Sequence, residues 1–125
     1  MYDLIGDVHG HAEALEALLG KLGYRDTGGA YRHPDGRRAL FVGDYVDRGP
    51  DNVGVLDTVR RMVDAGQAVA LMGNHEYNAL CYHTRRPDGQ GHLRPQTAKN
   101  RQQHARTLED FAADARPGLL DEYLA

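Results

Sequence analysis

The chain has very little cysteine and no long apolar run. Cys81 is the only cysteine among the 125 residues, so no disulfide can form within the chain and nothing indicates an oxidising compartment. Asp3 and Asp7 interrupt the first apolar segment, which therefore does not resemble a secretion signal. No stretch is long or apolar enough to span a bilayer. We therefore expect a cytoplasmic protein without a membrane partner.

The sequence also lacks a strong excess of charge of either sign. A formal net charge of −3 gives no general reason to expect nucleic acid as a partner. The length of 125 residues allows one domain, which we take as residues 1–125. Residues 83–106 are a local exception, with six arginines and lysines, one aspartate and a net charge of +5. This segment is either a solvated surface or a region that steers a phosphate-rich substrate.

Short apolar runs alternate with helical patterns along the chain. The predicted strands are Tyr2–Ile5, Ala39–Val42 and Ala68–Met72. Of the predicted helices, the first begins at His11, the second spans Asn52–Ala65, the third follows the last strand and continues as far as Leu80, and the fourth spans Thr97–Ala115. The turn residues Pro34-Asp35-Gly36 predict a hairpin in which Ala30–Arg32 pairs with Arg38–Val42. The alternation predicts an α/β layered fold with a largely parallel sheet.

Each predicted strand ends in a glycine followed by a carboxylate or an amide. The three polar residues are Asp7, Asp44 and Asn74. In open α/β sheets, ligands bind beyond the carboxyl ends of the strands. Any one of these residues could simply cap a helix, because Asp and Asn are favoured there. Together they predict a site at this edge of the sheet.

The residue types at these strand ends are typical of a site for two divalent cations. Asp7 and His9 are two residues apart, so a strand end places both on the same side. Asp44 could bridge two cations, and Asn74 offers a neutral oxygen to the second. Oxygen and nitrogen ligands without thiolate suit Mn²⁺, which we expect first, or Fe or Zn²⁺. Two such ions lower the pKa of a shared water and stabilise both oxygens in phosphoryl transfer.

Three neighbouring residues could supply the remaining chemistry of a phosphatase. His75 follows the third strand end and could protonate a leaving oxygen. Asp47 could hydrogen-bond His75 and fix its tautomer, or the two could form a purely structural pair. Arg48 offers a planar fork that matches two phosphate oxygens.

Three sequence blocks resemble the signatures of calcineurin-like metallophosphoesterases. The blocks are Asp7-Val8-His9, the GDYVDRG of residues 43–49 and the GNHE of residues 73–76. The second and third resemble the phosphoprotein phosphatase branch, which includes serine/threonine phosphatases and diadenosine tetraphosphatases. The resemblance implies a layered α/β sandwich and attack by a metal-bound hydroxide on phosphomonoesters or phosphoanhydrides. It also implies a phosphorylated protein or small molecule as the substrate. The carboxylate of Asp47 makes the second block more similar to that of the protein phosphatases, because symmetric diadenosine tetraphosphatases typically lack a carboxylate at this position.

The sequence departs from the family's pattern after the third block. The family completes its second metal position with two further histidines from later strands, whereas His83, His92 and His104 follow no apolar strand. We expect this sequence to be the N-terminal half of a longer enzyme. Alternatively, His83 or His104 replaces the missing ligands, or another chain supplies them. A half-sheet would also leave an open strand edge that favours self-association.

Two other functions are compatible with the sequence. The chain could be a metal- or phosphate-binding module without turnover, left inert by the absent histidines. It could also be a phosphodiesterase on the same scaffold, although the acidic net charge and the form of the second block argue against this.

Overall fold

The residues that the structure describes form five strands and five helices. A computed structural model describes residues 1–114, 116 and 118–124. In chain order the elements are β1 (Tyr2–Ile5), α1 (Ala12–Leu22), β2 (Arg25–Thr27), β3 (Ala30–Arg32), β4 (Arg38–Phe41), α2 (Asn52–Asp64), β5 (Ala68–Ala70), α3 (Asn74–His83), α4 (Ala98–Ala113) and α5 (Leu119–Leu124).

The main sheet is three-stranded and parallel, in the order β1-β4-β5. Ile5 lies opposite Phe41, and Phe41 lies opposite Ala70, so the three strands end at the same edge. Burial alternates along β1, where Ile5 is buried and Leu4 is exposed, as expected for a sheet that carries the core on one face. The predicted α/β fold with a parallel sheet is therefore confirmed.

The helices α1 and α2 supply most of the remaining core. Leu15 and Leu19 of α1, and Val55 and Met62 of α2, belong to one buried cluster with the apolar residues of the sheet. Spacings of four and seven residues place these side chains on one face of each helix. Val63 of α2 lies beside this face and is 39% exposed.

In the second half of the chain, the described residues add three helices and a loop. The helix predicted to end at Leu80 extends to His83. Thr97 is the N-cap of α4, and its side chain accepts a hydrogen bond from the Asn100 N–H. Ala115, the predicted end of that helix, lies outside the described residues. Among the helices described, none has the length and apolar character needed to cross a membrane.

The hairpin predicted around Pro34 is wrong. The strand Ala30–Arg32 pairs with Arg25–Thr27 in an antiparallel hairpin, whereas Arg38–Phe41 joins the parallel sheet. The turn of this hairpin is Gly28-Gly29, with φ of 67° and 87°. Two-residue hairpin turns of type I′ need positive φ at both central residues, which glycine adopts without strain.

Strands β1 and β5 lie at the two edges of the sheet. Beside the end of β5, Leu71 and Met72 are 50% and 59% exposed. Self-association through such an edge stays a prediction.

Candidate metal and phosphate site

The three signature blocks meet at one edge of the sheet because each directly follows a parallel strand. The first and second blocks are joined by backbone hydrogen bonds. The Val8 and His9 N–H groups both donate to the Asp44 carbonyl, at 3.1 and 2.9 Å. Gly49 allows this approach, because a Cβ on it would lie 2.1 Å from the His9 carbonyl oxygen. The blocks therefore form one continuous surface.

Asp7, His9 and Asp44 form a compact group of potential metal ligands. One ligand atom from each lies within 4.8 Å of the other two. Nδ1 of His9 is 3.1 Å from the Val46 carbonyl oxygen, so this nitrogen must carry the proton and donate. Nε2 is then free as a ligand and lies 3.8 Å from Asp7 Oδ2. Two carboxylates and an imidazole Nε2 are a donor set that fits a divalent transition metal.

Asn74, the fourth predicted ligand, is exposed at the first residue of α3. Its neighbours on both sides contact Asp44. The His75 N–H donates to Asp44 Oδ1 at 2.9 Å, and a Cβ on Gly73 would lie 2.4 Å from the Asp44 nitrogen. The beginning of α3 is therefore packed against the Asp7–His9–Asp44 group.

His75 and Asp47 are in direct contact. His75 Nδ1 lies 2.8 Å from Asp47 Oδ2, and the His75 ring stacks edge-on against the His9 ring with 4.6 Å between the centroids. The His75 side chain is 22% exposed, whereas that of Asp47 is 2% exposed. The imidazole can thus reach solvent while its carboxylate partner is enclosed.

Two residues of α4 also hold Asp47, and sequence reasoning missed both roles. His104 Nδ1 and the Thr107 hydroxyl donate to Asp47 Oδ1 at 2.8 and 2.7 Å. The Asp47 N–H in turn donates to the Thr107 oxygen at 3.0 Å. Burial raises the pKa of Asp47, but the hydrogen bonds from His104, Thr107 and His75 outweigh it and leave the pKa below its ordinary value.

These contacts argue against His104 as a substitute metal ligand. Nδ1 of His104 is bonded to Asp47, and its Nε2 lies 3.1 Å from His83 Nε2. Both ring nitrogens are therefore engaged within the protein. In the described part of the chain, the group of potential metal ligands contains neither His83 nor His104.

Glu76 connects the second and third blocks. Its carboxylate accepts hydrogen bonds from the backbone N–H groups of Gly73, Asp44, Tyr45 and Val46. Burial raises the pKa of Glu76, and the four backbone donors oppose that shift. Glu76 also places a negative charge in the first turn of α3, where the helix dipole favours it.

Four residues with side chains have positive φ in the described part of the chain: His9, Asp44, Asp47 and Arg48, with φ from 45° to 72°. All four lie in the first two signature blocks. Positive φ is strained for residues other than glycine, and such strain is commonly found at functional sites.

Arg48 is exposed beside His75. The two residues line a cleft of about 180 Å³ whose other lining residues are Asp47, Asn78, Arg94 and Gln103. The cleft therefore lies on the His75 side of the ligand group.

Comparison with known proteins relates these features to curated phosphatases. The profile of the calcineurin-like phosphoesterases matches residues 2–118. The asymmetrical bis(5'-nucleosyl)-tetraphosphatase PrpE of Oceanobacillus iheyensis is 49% identical over 73 residues, which are 58% of this chain and 29% of that protein. PrpE of Halalkalibacterium halodurans is 49% identical over 74 residues, which are 59% of this chain and 30% of that protein.

Two solved structures are also similar. A candidate diadenosine tetraphosphatase matches 98% of this chain and 40% of its own, with a TM-score of 0.54 and 24% identity, a likeness of fold alone. A mutant cold-active protein tyrosine phosphatase matches 64% of this chain and 25% of its own, with a TM-score of 0.50 and 30% identity. The chain thus spans well under half the length of these proteins. Because the profile covers nearly all of its residues, the chain belongs to the calcineurin-like phosphoesterase family.

Proposed function

We propose that this chain carries the metal-binding part of a phosphatase active site that hydrolyses phosphoanhydride bonds, as in dinucleoside polyphosphates. The observation that carries the proposal is the convergence of the Asp7–His9–Asp44 group with the His75–Asp47 pair. The first curated relatives support the substrate class, because they are named asymmetrical bis(5'-nucleosyl)-tetraphosphatases.

The ligand group would hold two divalent cations, with Mn²⁺ as the preferred ion and Fe or Zn²⁺ as alternatives. Asp7, His9 and Asp44 supply carboxylate and imidazole donors, and Asn74 adds an amide oxygen at the same edge. When bound, such ions lower the pKa of water and neutralise charge on the reacting phosphate.

The protein's own residues then position the substrate and serve the leaving oxygen. Arg48 is exposed at the cleft and can bind two phosphate oxygens with its planar fork. Asp47 accepts from Nδ1 of His75 and fixes the ring, which leaves Nε2 as the atom that can supply a proton to the leaving oxygen. Because Asp47 is itself held by α4, the ring of His75 has little freedom to turn.

Asp44→Asn tests the metal assignment. This change removes the charge that two cations would share, so Mn²⁺ affinity measured by calorimetry should fall at least ~tenfold, and turnover of diadenosine tetraphosphate should be lost. Asp35→Asn is the matched control, because Asp35 is an exposed turn residue outside the site. Near wild-type Mn²⁺ binding and turnover in the Asp44→Asn protein would show that the assignment is wrong.

Two observations favour other functions for this chain, and turnover of a panel of substrates distinguishes these functions. The group of close ligands has three members in the described residues, which favours a binding module that holds one ion per chain and turns over nothing. The similarity to a protein tyrosine phosphatase and the carboxylate of Asp47 favour a phosphomonoester on a protein. A panel of a phosphopeptide, an aryl phosphate, a phosphodiester and diadenosine tetraphosphate distinguishes these cases by relative kcat/KM.

A further inference from the structure

The cleft beside His75 contains a second arginine. Arg48 reaches it from the second signature block, and Arg94 reaches it from the loop between α3 and α4. Arg94 is half-buried, and its backbone N–H donates to the Cys81 carbonyl at 2.9 Å. The backbone next to it is fixed as well, because the Leu93 N–H donates to the Thr84 carbonyl at 2.8 Å. The position of Arg94 is therefore set by the fold of the loop.

The charge of Arg94 is not neutralised by a carboxylate in the described part of the chain. Its Nη2 donates to Gln103 Oε1 at 2.8 Å, and Gln103 is uncharged. Two other arginines of the segment differ, because Arg86 pairs with Asp88 and Arg106 pairs with Asp110. A guanidinium has five N–H donors, so one contact with Gln103 leaves most of them available to a ligand.

Arg48 has no carboxylate partner among the described residues either. The cleft holds one carboxylate, Asp47, whose oxygens already accept from His75, His104 and Thr107. Two arginines with free donors therefore face one enclosed acid. Such a cleft attracts an anion with several oxygens.

The position of this cleft defines which part of the substrate it would contact. His75, the residue assigned to the leaving oxygen, lines the same cleft as both arginines. A leaving group that received a proton from His75 would lie against this wall of the cleft, which the two arginines line. A serine or threonine leaving group would bring an uncharged alcohol to two arginines, whereas a phosphate leaving group would bring several charged oxygens. The wall thus matches an anionic leaving group.

We propose that Arg94 binds the leaving phosphate chain and makes the site selective for substrates whose leaving group is itself a phosphate. In the reaction, water forms the new P–O bond and releases a proton to solvent. The bridging P–O bond breaks with its electron pair on the leaving oxygen, which takes a proton from His75 or leaves as the anion stabilised by Arg94. This inference rests on the proposed function and deepens it.

Arg94→Gln and Arg101→Gln test the proposal as a matched pair. Both remove one positive charge from segment 83–106, but Arg101 is exposed on α4 and does not line the cleft. Loss of charge-assisted hydrogen bonds should lower kcat/KM for diadenosine tetraphosphate by roughly ten- to a hundredfold in Arg94→Gln, and by at least tenfold more than for an aryl phosphate. Arg94→Lys should recover part of the loss, because it keeps the charge without the fork.

Equilibrium binding of inorganic tripolyphosphate supplies a readout that does not depend on turnover. Calorimetry should show weaker tripolyphosphate binding in Arg94→Gln than in the wild-type chain, with orthophosphate binding changed much less. Equal tripolyphosphate binding in the two proteins would overturn the proposal, even if the chain hydrolyses nothing. An equal loss in Arg101→Gln would also overturn it, because general attraction by the basic segment would then explain the effect. If the wild-type chain bound tripolyphosphate but hydrolysed neither diadenosine tetraphosphate nor an aryl phosphate, the proposed function would be refuted. The binding role of Arg94 would not be refuted by that result.

Discussion

Thr107→Val isolates the contribution of α4 to the site. Valine keeps the shape of threonine but lacks the hydroxyl, which donates to Asp47 Oδ1 at 2.7 Å and accepts from the Asp47 N–H at 3.0 Å. Both residues are almost fully buried, so water cannot replace the lost partner. An unsatisfied buried donor costs about 1–3 kcal/mol, and the carboxylate also loses one of its three side-chain donors. We expect the free energy of unfolding at pH 7 to fall by about 2–3 kcal/mol.

The effect of Thr107→Val should depend on pH in a defined direction. The pKa of Asp47 is lowered from its ordinary value of 3.8 in the folded protein. The stability that its hydrogen bonds supply is therefore present above about pH 4 and is lost as the pH falls through the folded pKa. The difference between the wild-type protein and Thr107→Val should thus be largest near neutral pH and should shrink in acid.

Urea unfolding followed by circular dichroism at pH 7 and at pH 3 measures both quantities. Thr58→Val, a change of the same kind on α2, is the matched control and should alter stability by no more than about 0.5 kcal/mol. If Thr107→Val were as stable as the wild type at pH 7, or if its deficit grew as the pH was lowered, the assigned network around Asp47 would be incorrect.

Two further substitutions test how the signature blocks are joined. Gly43→Ala should lower the free energy of unfolding by at least ~3 kcal/mol, because φ is +109° and a Cβ would lie 2.4 Å from the Gly73 nitrogen. Gly89→Ala is the control, because Gly89 has a φ of +72° but open space around it, and it should lower the free energy of unfolding by only ~1 kcal/mol in the same urea titration. Glu76→Gln should lower it by about 2 kcal/mol, because one acceptor oxygen becomes an NH₂ group and its backbone donors lose their partner. If Glu76→Gln left the free energy of unfolding unchanged, the contacts between the Glu76 carboxylate and the Asp44 backbone would contribute nothing to stability.

The parallel sheet and the meeting of the strand ends could be predicted because they depend on local signals. Each strand is a short apolar run that ends at glycine, and residues at the ends of neighbouring parallel strands must meet. The hairpin was wrong because two turn signals competed. Pro34-Asp35-Gly36 forms a turn, with the Gly36 N–H bonded to the His33 carbonyl at 3.0 Å, but Gly28-Gly29 makes the shorter connection. The glycine pair was the stronger hairpin signal.

The part of the site contributed by α4 could not be predicted in the same way. His104 and Thr107 lie 57 and 60 residues from Asp47. No motif connects them, and a helical pattern predicts a buried face without predicting what that face contacts. The only signal in the sequence is the spacing of three residues, which places His104 and Thr107 on the same face of a predicted helix. Only the packing of α4 against α2 and the second block shows which acid they hold.

The left-handed backbone at His9, Asp44, Asp47 and Arg48 means that the stability of the chain and the residues of its candidate site place opposite demands on the sequence. A left-handed residue with a Cβ costs roughly 1–2 kcal/mol, and glycine at the same place avoids most of that penalty. Arg48 is exposed, so exchanging it for glycine would relax the chain while sacrificing little packing. Selection for heat resistance alone would therefore tend to erase the arginine that we propose binds phosphate, and any engineering of this chain would have to screen for turnover together with melting temperature.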